Sequence, residues 1–129
     1  MDDRILLDTS VLIDYRRGYG AAREFTAPIV AAGRAAIHPV VSFELFDGLT
    51  RQAEIGETVL IITALRRLPV RDGDFTVALE LFNQYRLRSG IEWPDCMLAA
   101  TALRLAIPIA TLNSRHFSVI PKLKVIRPY

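Results

Sequence analysis

Short runs of consecutive apolar residues alternate along this chain with longer stretches whose apolar positions recur every three or four residues. The first pattern predicts buried strands and the second predicts helices. Arg4-Ile5-Leu6-Leu7 stops at Asp8-Thr9-Ser10, after which Val11-Leu12-Ile13 open a helix. Gly18-Tyr19-Gly20 breaks that helix, and a second helical stretch spans residues 21–32 before Gly33, with Pro28 predicting two shorter pieces or a kink. Residues 35–40 read as the second strand, followed by a helix capped by Ser42 and bearing Phe43, Leu45, Phe46 and Leu49.

Residues 57–67 are helical by period, Leu68-Pro69-Val70 reads as a short strand, and Asp72 or Asp74 caps a helix carrying Phe75, Ala78, Leu79 and Phe82. Gly90 ends it. Pro94 sits where a first-turn proline belongs and opens a helix through Leu103 that is apolar on most sides and so belongs in the core. Residues 107–112 form a strand ending at Asn113, and Lys124-Val125-Ile126 a last edge strand. The alternation predicts a single α/β domain over residues 1–129: a central, mostly parallel sheet with helices on both faces.

Ligands of such sheets bind beyond the carboxyl ends of the strands, and that rule selects residues. Asp8 and Asn113 stand at strand ends, while Glu44 and Asp95 fall in the first turns of helices expected to start along the same edge. Carboxylates gathered there raise one another's pKa unless a cation lies between them. Mg²⁺ or Mn²⁺ fits oxygen ligands and activates water for attack on a phosphodiester. With two histidines and one cysteine in the chain, a zinc site has too few ligands. Each acid also has a plainer reading: Asp8 as a helix cap, Glu44 and Asp95 as partners of helix dipoles. Convergence favours the site.

Around these acids, Ser10 and Thr9 are candidates to orient Asp8, and His116 and Arg115 to meet a phosphate or leaving group. Asp14, Asp47, Asp72 and Asp74 read as solvated or capping acids, with Asp47 able to pair with Arg51 at helical spacing. Phe117 and Cys96 read as packing, and Trp93 as core or rim packing in preference to stacking on a base. Arg16, Arg17 and Arg115 are candidates for nucleic acid contact or for solvated faces alike, whereas Arg86 reads rather as a solvated-face arginine.

Composition adds boundaries. The chain has 129 residues, 51% of them apolar, enough for one core. Its single cysteine permits no intramolecular disulfide and points to a reducing, cytoplasmic setting. The N-terminus lacks the pattern of a secretion signal, so the mature protein is expected to start there, and residues 59–65, the longest apolar-rich run, are far short of the roughly 20 a membrane span needs. Net charge is only +2, but the basic residues are nearly all arginine, which forks onto phosphate better than lysine and tilts the reading toward nucleic acid.

Residues 5–13, Ile-Leu-Leu-Asp-Thr-Ser-Val-Leu-Ile, resemble the opening of PIN domains, especially the VapC toxins of toxin-antitoxin pairs. Val40-Val41-Ser42-Phe43-Glu44-Leu45 resembles the second acidic motif of that family, residues 94–102 its third, and Thr111-Leu112-Asn113-Ser114-Arg115-His116-Phe117 its last. The resemblance implies a three-layer α/β/α, Rossmann-like fold. It also implies a Mg²⁺- or Mn²⁺-dependent endoribonuclease acting on RNA, a homodimer, and neutralisation by a cognate VapB-like antitoxin. Mapped residue by residue, it makes Asp8, Glu44 and Asp95 metal-site acids. Asn113 departs from it, since many members carry aspartate there; the missing charge predicts one metal in the resting site and leaves Asn113 to position water or substrate.

Two other classes compete. A strand-end aspartate also serves aspartyl-phosphate phosphatases and phosphotransferases, but these want an acid two residues later, where Ser10 stands. A catalytically weak domain that binds RNA or a partner is the remaining alternative, with Asn113 as its first sign.

Overall fold

The computed structural model describes residues 2–129. Five strands, β1 (Ile5–Leu7), β2 (Ala35–Ile37), β3 (Arg66–Arg67), β4 (Ile109–Ala110) and β5 (Val125–Ile126), pair in the order β3-β2-β1-β4-β5. All four pairings are parallel, with Leu6 opposite Ala36 on one side and Ile109 on the other. Successive strand residues point to opposite faces, yet Ile5, Leu6 and Leu7 are all buried, as are Ala35, Ala36 and Ile37. Both faces of the sheet are therefore covered, which is why these strands read as continuous apolar runs. From β1 the chain moves outward to β2 and β3, then returns to the other side for β4 and β5. The reversal of strand order puts the switch point between β1 and β4.

Seven helices complete the fold: α1 (Thr9–Arg16), α2 (Gly20–Ala31), α3 (Pro39–Asp47), α4 (Gln52–Thr63), α5 (Asp72–Ser89), α6 (Trp93–Leu105) and α7 (Ser114–Phe117). Helix α2 runs unbroken through Pro28, correcting the expected break: the proline lies in the last turn, and Ala22, Thr26 and Ile29 hold one face of the helix in the core. Helix α6 buries every residue from Cys96 to Ala102, as its composition predicted, and Phe117 of α7, a helix the pattern did not reveal, is fully buried. Trp93 instead is 60% exposed, so it is not core packing.

Three boundaries move for identifiable reasons. Strand β2 ends at Ile37 and α3 begins at Pro39, because His38 takes the cap: its Nδ1 accepts from the Val40 N–H at 3.0 Å while Pro39 supplies a preset first turn. Ser42 is not the cap, and Glu44 lies in the second turn rather than the first; Leu49 falls beyond the helix. Helix α4 starts and ends earlier than expected, and β3 is Arg66–Arg67 rather than residues 68–70. Leu68 still donates to the Ile37 carbonyl at 3.0 Å, but Pro69 has no N–H with which to continue the ladder. Arg51 pairs with Glu54 at 2.9 Å and not with Asp47.

Asp74 combines a capping role with a buried one. Its carboxylate accepts from the Arg71 N–H at the start of α5, but the residue is 2% exposed and takes a forked contact from Arg104 at 2.7 and 2.9 Å. The Arg104 guanidinium holds its pKa below the usual carboxylate range. Thr101 Oγ1 donates to the same carboxylate at 3.0 Å, so the His38 Nε2, 3.2 Å away, carries the proton and donates to Thr101. The ring is thus satisfied only when neutral.

Burial depresses the His38 pKa to about 4, from an ordinary value of 6.5. In the unfolded chain the ring protonates first, so the stability it contributes is complete above pH 6.5 and is lost as pH falls toward 4. The stability advantage of the parent over His38→Gln is expected to shrink by about 3 kcal/mol between pH 7 and pH 4, as measured by urea unfolding at each pH; a pH-independent gap contradicts this.

Candidate active site

The site is assembled at the carboxyl ends of β1 and β4, beside the switch point. Asp8 follows β1 directly and caps α1 by accepting from the Thr9 N–H at 2.8 Å. A cap is normally solvated, but this carboxylate is 4% exposed, and its second oxygen receives the Thr111 hydroxyl at 2.6 Å and the Ser10 hydroxyl at 3.4 Å. Ser10 in turn accepts from the Leu112 N–H, and Thr111 from the Asn113 N–H. These contacts stitch the end of β1 to the loop after β4. Thr111 escaped the sequence reading because its role depends on those strands being neighbours, which no local pattern states.

Glu44 reaches the same edge from α3, its Oε1 accepting from the Thr9 hydroxyl at 2.8 Å. Placement in the second turn weakens the helix-dipole explanation, because that effect fades beyond the first turn. Asp95 arrives from the first turn of α6, where its Oδ2 accepts from the Glu92 N–H at 3.2 Å and lies 3.3 Å from His116 Nδ1. Both roles therefore fall on Asp95: it finishes a helix end and faces the other acids.

The three carboxylates feel one another. Burial raises the Asp8 pKa against the opposing hydrogen bonds from Thr111, Thr9 and Ser10. Burial also raises Glu44, with the charges of Asp8, Asp95 and Glu92 adding to it. Asp95 is raised by burial and by Asp8, opposed by the Glu92 N–H and His116. Glu92 is an acid that the sequence reading did not consider; nothing but the fold brings it near Glu44. Among the described residues, no three His, Cys, Asp or Glu side chains stand close enough to hold a metal ion as they are. The donor set nonetheless suits a hard divalent cation, which retains several waters and needs only one or two carboxylates.

Of the other expected residues, His116 joins the cluster through Asp95, and Thr9 and Ser10 orient the acids directly. Asn113 caps α7 through its backbone and is exposed, its side chain making no capping hydrogen bond. It lines a polar cavity with Arg115 and His116 rather than joining the carboxylates. Arg16 is tied to the Leu45 carbonyl and the Thr58 hydroxyl, and Arg86 lies over the Phe82 ring, so both have structural work. Cys96 is fully buried, with its thiol pKa pushed up to about 11 by burial, in keeping with packing.

The PIN-domain family model matches residues 5–123, which include every one of these acids. The chain belongs to the PIN-domain family. Within it, the chain is 34% identical over 121 residues to ribonuclease VapC10 of Mycobacterium tuberculosis, covering 93% of this chain and 90% of that one. It is 31% identical to ribonuclease VapC19 of the same organism, covering 92% and 96%. The DNA-bound VapBC structure from Salmonella typhimurium shares the fold at a TM-score of 0.76 and 18% identity, covering 98% of both chains. The parallel sheet and seven helices are thus those of a VapC-type PIN domain. No helix among the described residues is long and apolar enough to cross a membrane.

Clustered charge in this PIN domain has a measurable consequence. A carboxylate whose pKa the fold raises is destabilising when ionised at neutral pH. Glu44→Gln keeps an oxygen for the Thr9 hydroxyl while removing one charge, so without metal its Tm is expected to exceed the parent's by a few degrees. Added Mn²⁺ is expected to raise the parent's Tm more than the variant's. Calorimetry with chelator and with Mn²⁺ checks both; a variant less stable than the parent in chelator contradicts the reading.

Proposed function

We propose that this PIN domain is a Mg²⁺- or Mn²⁺-dependent endoribonuclease that hydrolyses phosphodiester bonds in single-stranded or loop RNA. We further propose that it is the toxin of a toxin-antitoxin pair, held inactive by a VapB-like antitoxin and acting as a homodimer. The observation that carries the reading is that Asp8, Glu44 and Asp95, from three separate elements, lie along one edge at the switch point of the sheet, within reach of one another's charge. The family and its VapC ribonuclease relatives support the reaction, and the VapBC structures support the antitoxin partner.

A divalent ion bound there supplies positive charge against the carboxylates and a Lewis acid for the phosphodiester. Asp8 and Asp95 are the principal ligands in this proposal, with Glu44 completing the set. The chain's part is to hold these oxygens in place before substrate arrives. Thr111, Thr9 and Ser10 fix both oxygens of Asp8, so its rotamer is set by hydrogen bonds rather than by the metal. Thr9 bridges to Glu44 and so couples two of the acids. His116 Nδ1, 3.3 Å from Asp95, helps to keep it oriented. With Asn113 lining the neighbouring cavity and no fourth acid among the carboxylates, the site would hold one metal at rest.

Incubated with structured RNA and Mn²⁺, the protein is expected to cut internally. Chelation should abolish cleavage, and Asp8→Ala or Asp95→Ala should each reduce it at least a hundredfold, the scale of about 3 kcal/mol of lost charge stabilisation. Cleavage that survives both chelator and Asp8→Ala sinks the reading. Asn113→Asp is expected to tighten a second Mn²⁺, readable by titration calorimetry.

A further inference from the structure

We infer that the polar cavity beside the carboxylates, with Arg127 and Arg115 on its wall, is a phosphate subsite that holds the RNA backbone next to the linkage being cut. The inference deepens the ribonuclease reading and rests on it. The cavity, of about 340 Å³, is lined by Ser89, Leu112, Asn113, Arg115, His116 and Arg127. His116 is the shared wall: it lines the cavity while its Nδ1 faces Asp95 at 3.3 Å, so one side chain separates the cavity from Asp95. A strand of RNA lying across the carboxylates has its neighbouring phosphate available to this space.

The charge of the lining decides what fits. Two guanidinium groups and no carboxylate face the cavity. The contrast is a cavity of about 410 Å³ near the end of α1, where Arg16, Arg17 and Arg51 are accompanied by Glu54 and Glu57. Arg51 is ion-paired there and Arg16 is committed to Thr58 and the Leu45 carbonyl, leaving little charge for a ligand.

Arg127 is held for the purpose from behind. Its Nη1 donates to the Leu112 carbonyl at 2.6 Å and its Nε to the Tyr129 carbonyl at 3.4 Å, which holds the plane of the group and leaves Nη2 without a hydrogen-bond partner among the described residues. An arginine whose plane is already fixed loses less freedom when it forks onto phosphate oxygens. Arg115 and the Asn113 side chain make no hydrogen bond or ion pair among the described residues, so both have donors to offer. Arg127 follows β5 as β4's loop carries Asn113, so the β4-β5 pairing alone brings these donors together.

Binding is separated from catalysis by using Asp8→Ala protein without divalent ion and a fluorescent single-stranded oligoribonucleotide. Adding Arg127→Ala is expected to weaken binding about tenfold and to flatten the slope of log K against log salt by about 0.7, one phosphate contact on a single strand. Arg115→Ala, at an exposed side chain without a partner, is expected to act in the same direction, and Arg127→Lys to restore part of the affinity. Lys124→Ala removes the same charge from the opposite end of β5 and is expected to change affinity less than twofold. In otherwise unaltered protein with Mn²⁺, Arg127→Ala should raise KM far more than it lowers kcat.

Unchanged RNA affinity in both arginine variants overturns the subsite, as does an equal loss in Lys124→Ala. Loss of binding to a polyglutamate peptide without loss for RNA also overturns it, assigning the cavity to an acidic protein partner. Failure of the ribonuclease reading looks different: the protein then cuts no RNA with Mn²⁺, whatever the binding assay returns.

Discussion

Everything at the functional edge depends on ending a fully buried central strand in a carboxylate. β1 is covered on both faces and flanked by β2 and β4, so Asp8 emerges where almost no water reaches it. A charge in that position is unfavourable unless hydrogen bonds surround it. The Thr9 amide and the Thr111 and Ser10 hydroxyls meet that need, and in doing so fix the relation between the first strand and the loop after β4. The same contacts that make the acid tolerable make it rigid. Burial is the largest cause that raises the pKa of Asp8, Glu44 and Asp95 alike.

A second polar network sits on the opposite flank of α6. His38, Thr101, Asp74 and Arg104 link the end of β2 to α5 and α6, with both oxygens of Asp74 accepting hydrogen bonds. Helix α6 thus carries Asp95 at its exposed start and is locked in the middle and at its end by buried hydrogen bonds and seven successive core residues. Such a helix holds Asp95 firmly, since a buried hydrogen-bond network favours one arrangement. Firmness at α6 and at β1 leaves the variable chemistry to the surface beside them, where Asn113, Arg115 and Arg127 face a cavity.

Much of this was legible in the order of residues. The strand-turn-helix at residues 5–16, the continuous apolar strands, and the buried helix opened by Pro94 all carry local signals that tertiary structure did not override. The errors have local causes too. A histidine cap at His38 is unusual enough to be missed beside Ser42, and it moved the start of α3 four residues and Glu44 one turn. The pair Arg66–Arg67 gives no apolar run, because an edge strand needs little burial and gains from charge.

By itself the sequence determined the alternation of elements, the parallel sheet, and the acids Asp8, Glu44 and Asp95, because strand burial and helix periodicity are written within a dozen residues of each. It could not determine which strands are neighbours. That decision belongs to tertiary structure, which set β1 between β2 and β4 and so gave Asp8 its Thr111 partner, Glu44 its neighbour Glu92, and Asn113 its companion Arg127. Contacts between residues 103 positions apart in the chain, as Asp8 and Thr111 are, follow from packing, and no period along the chain encodes them.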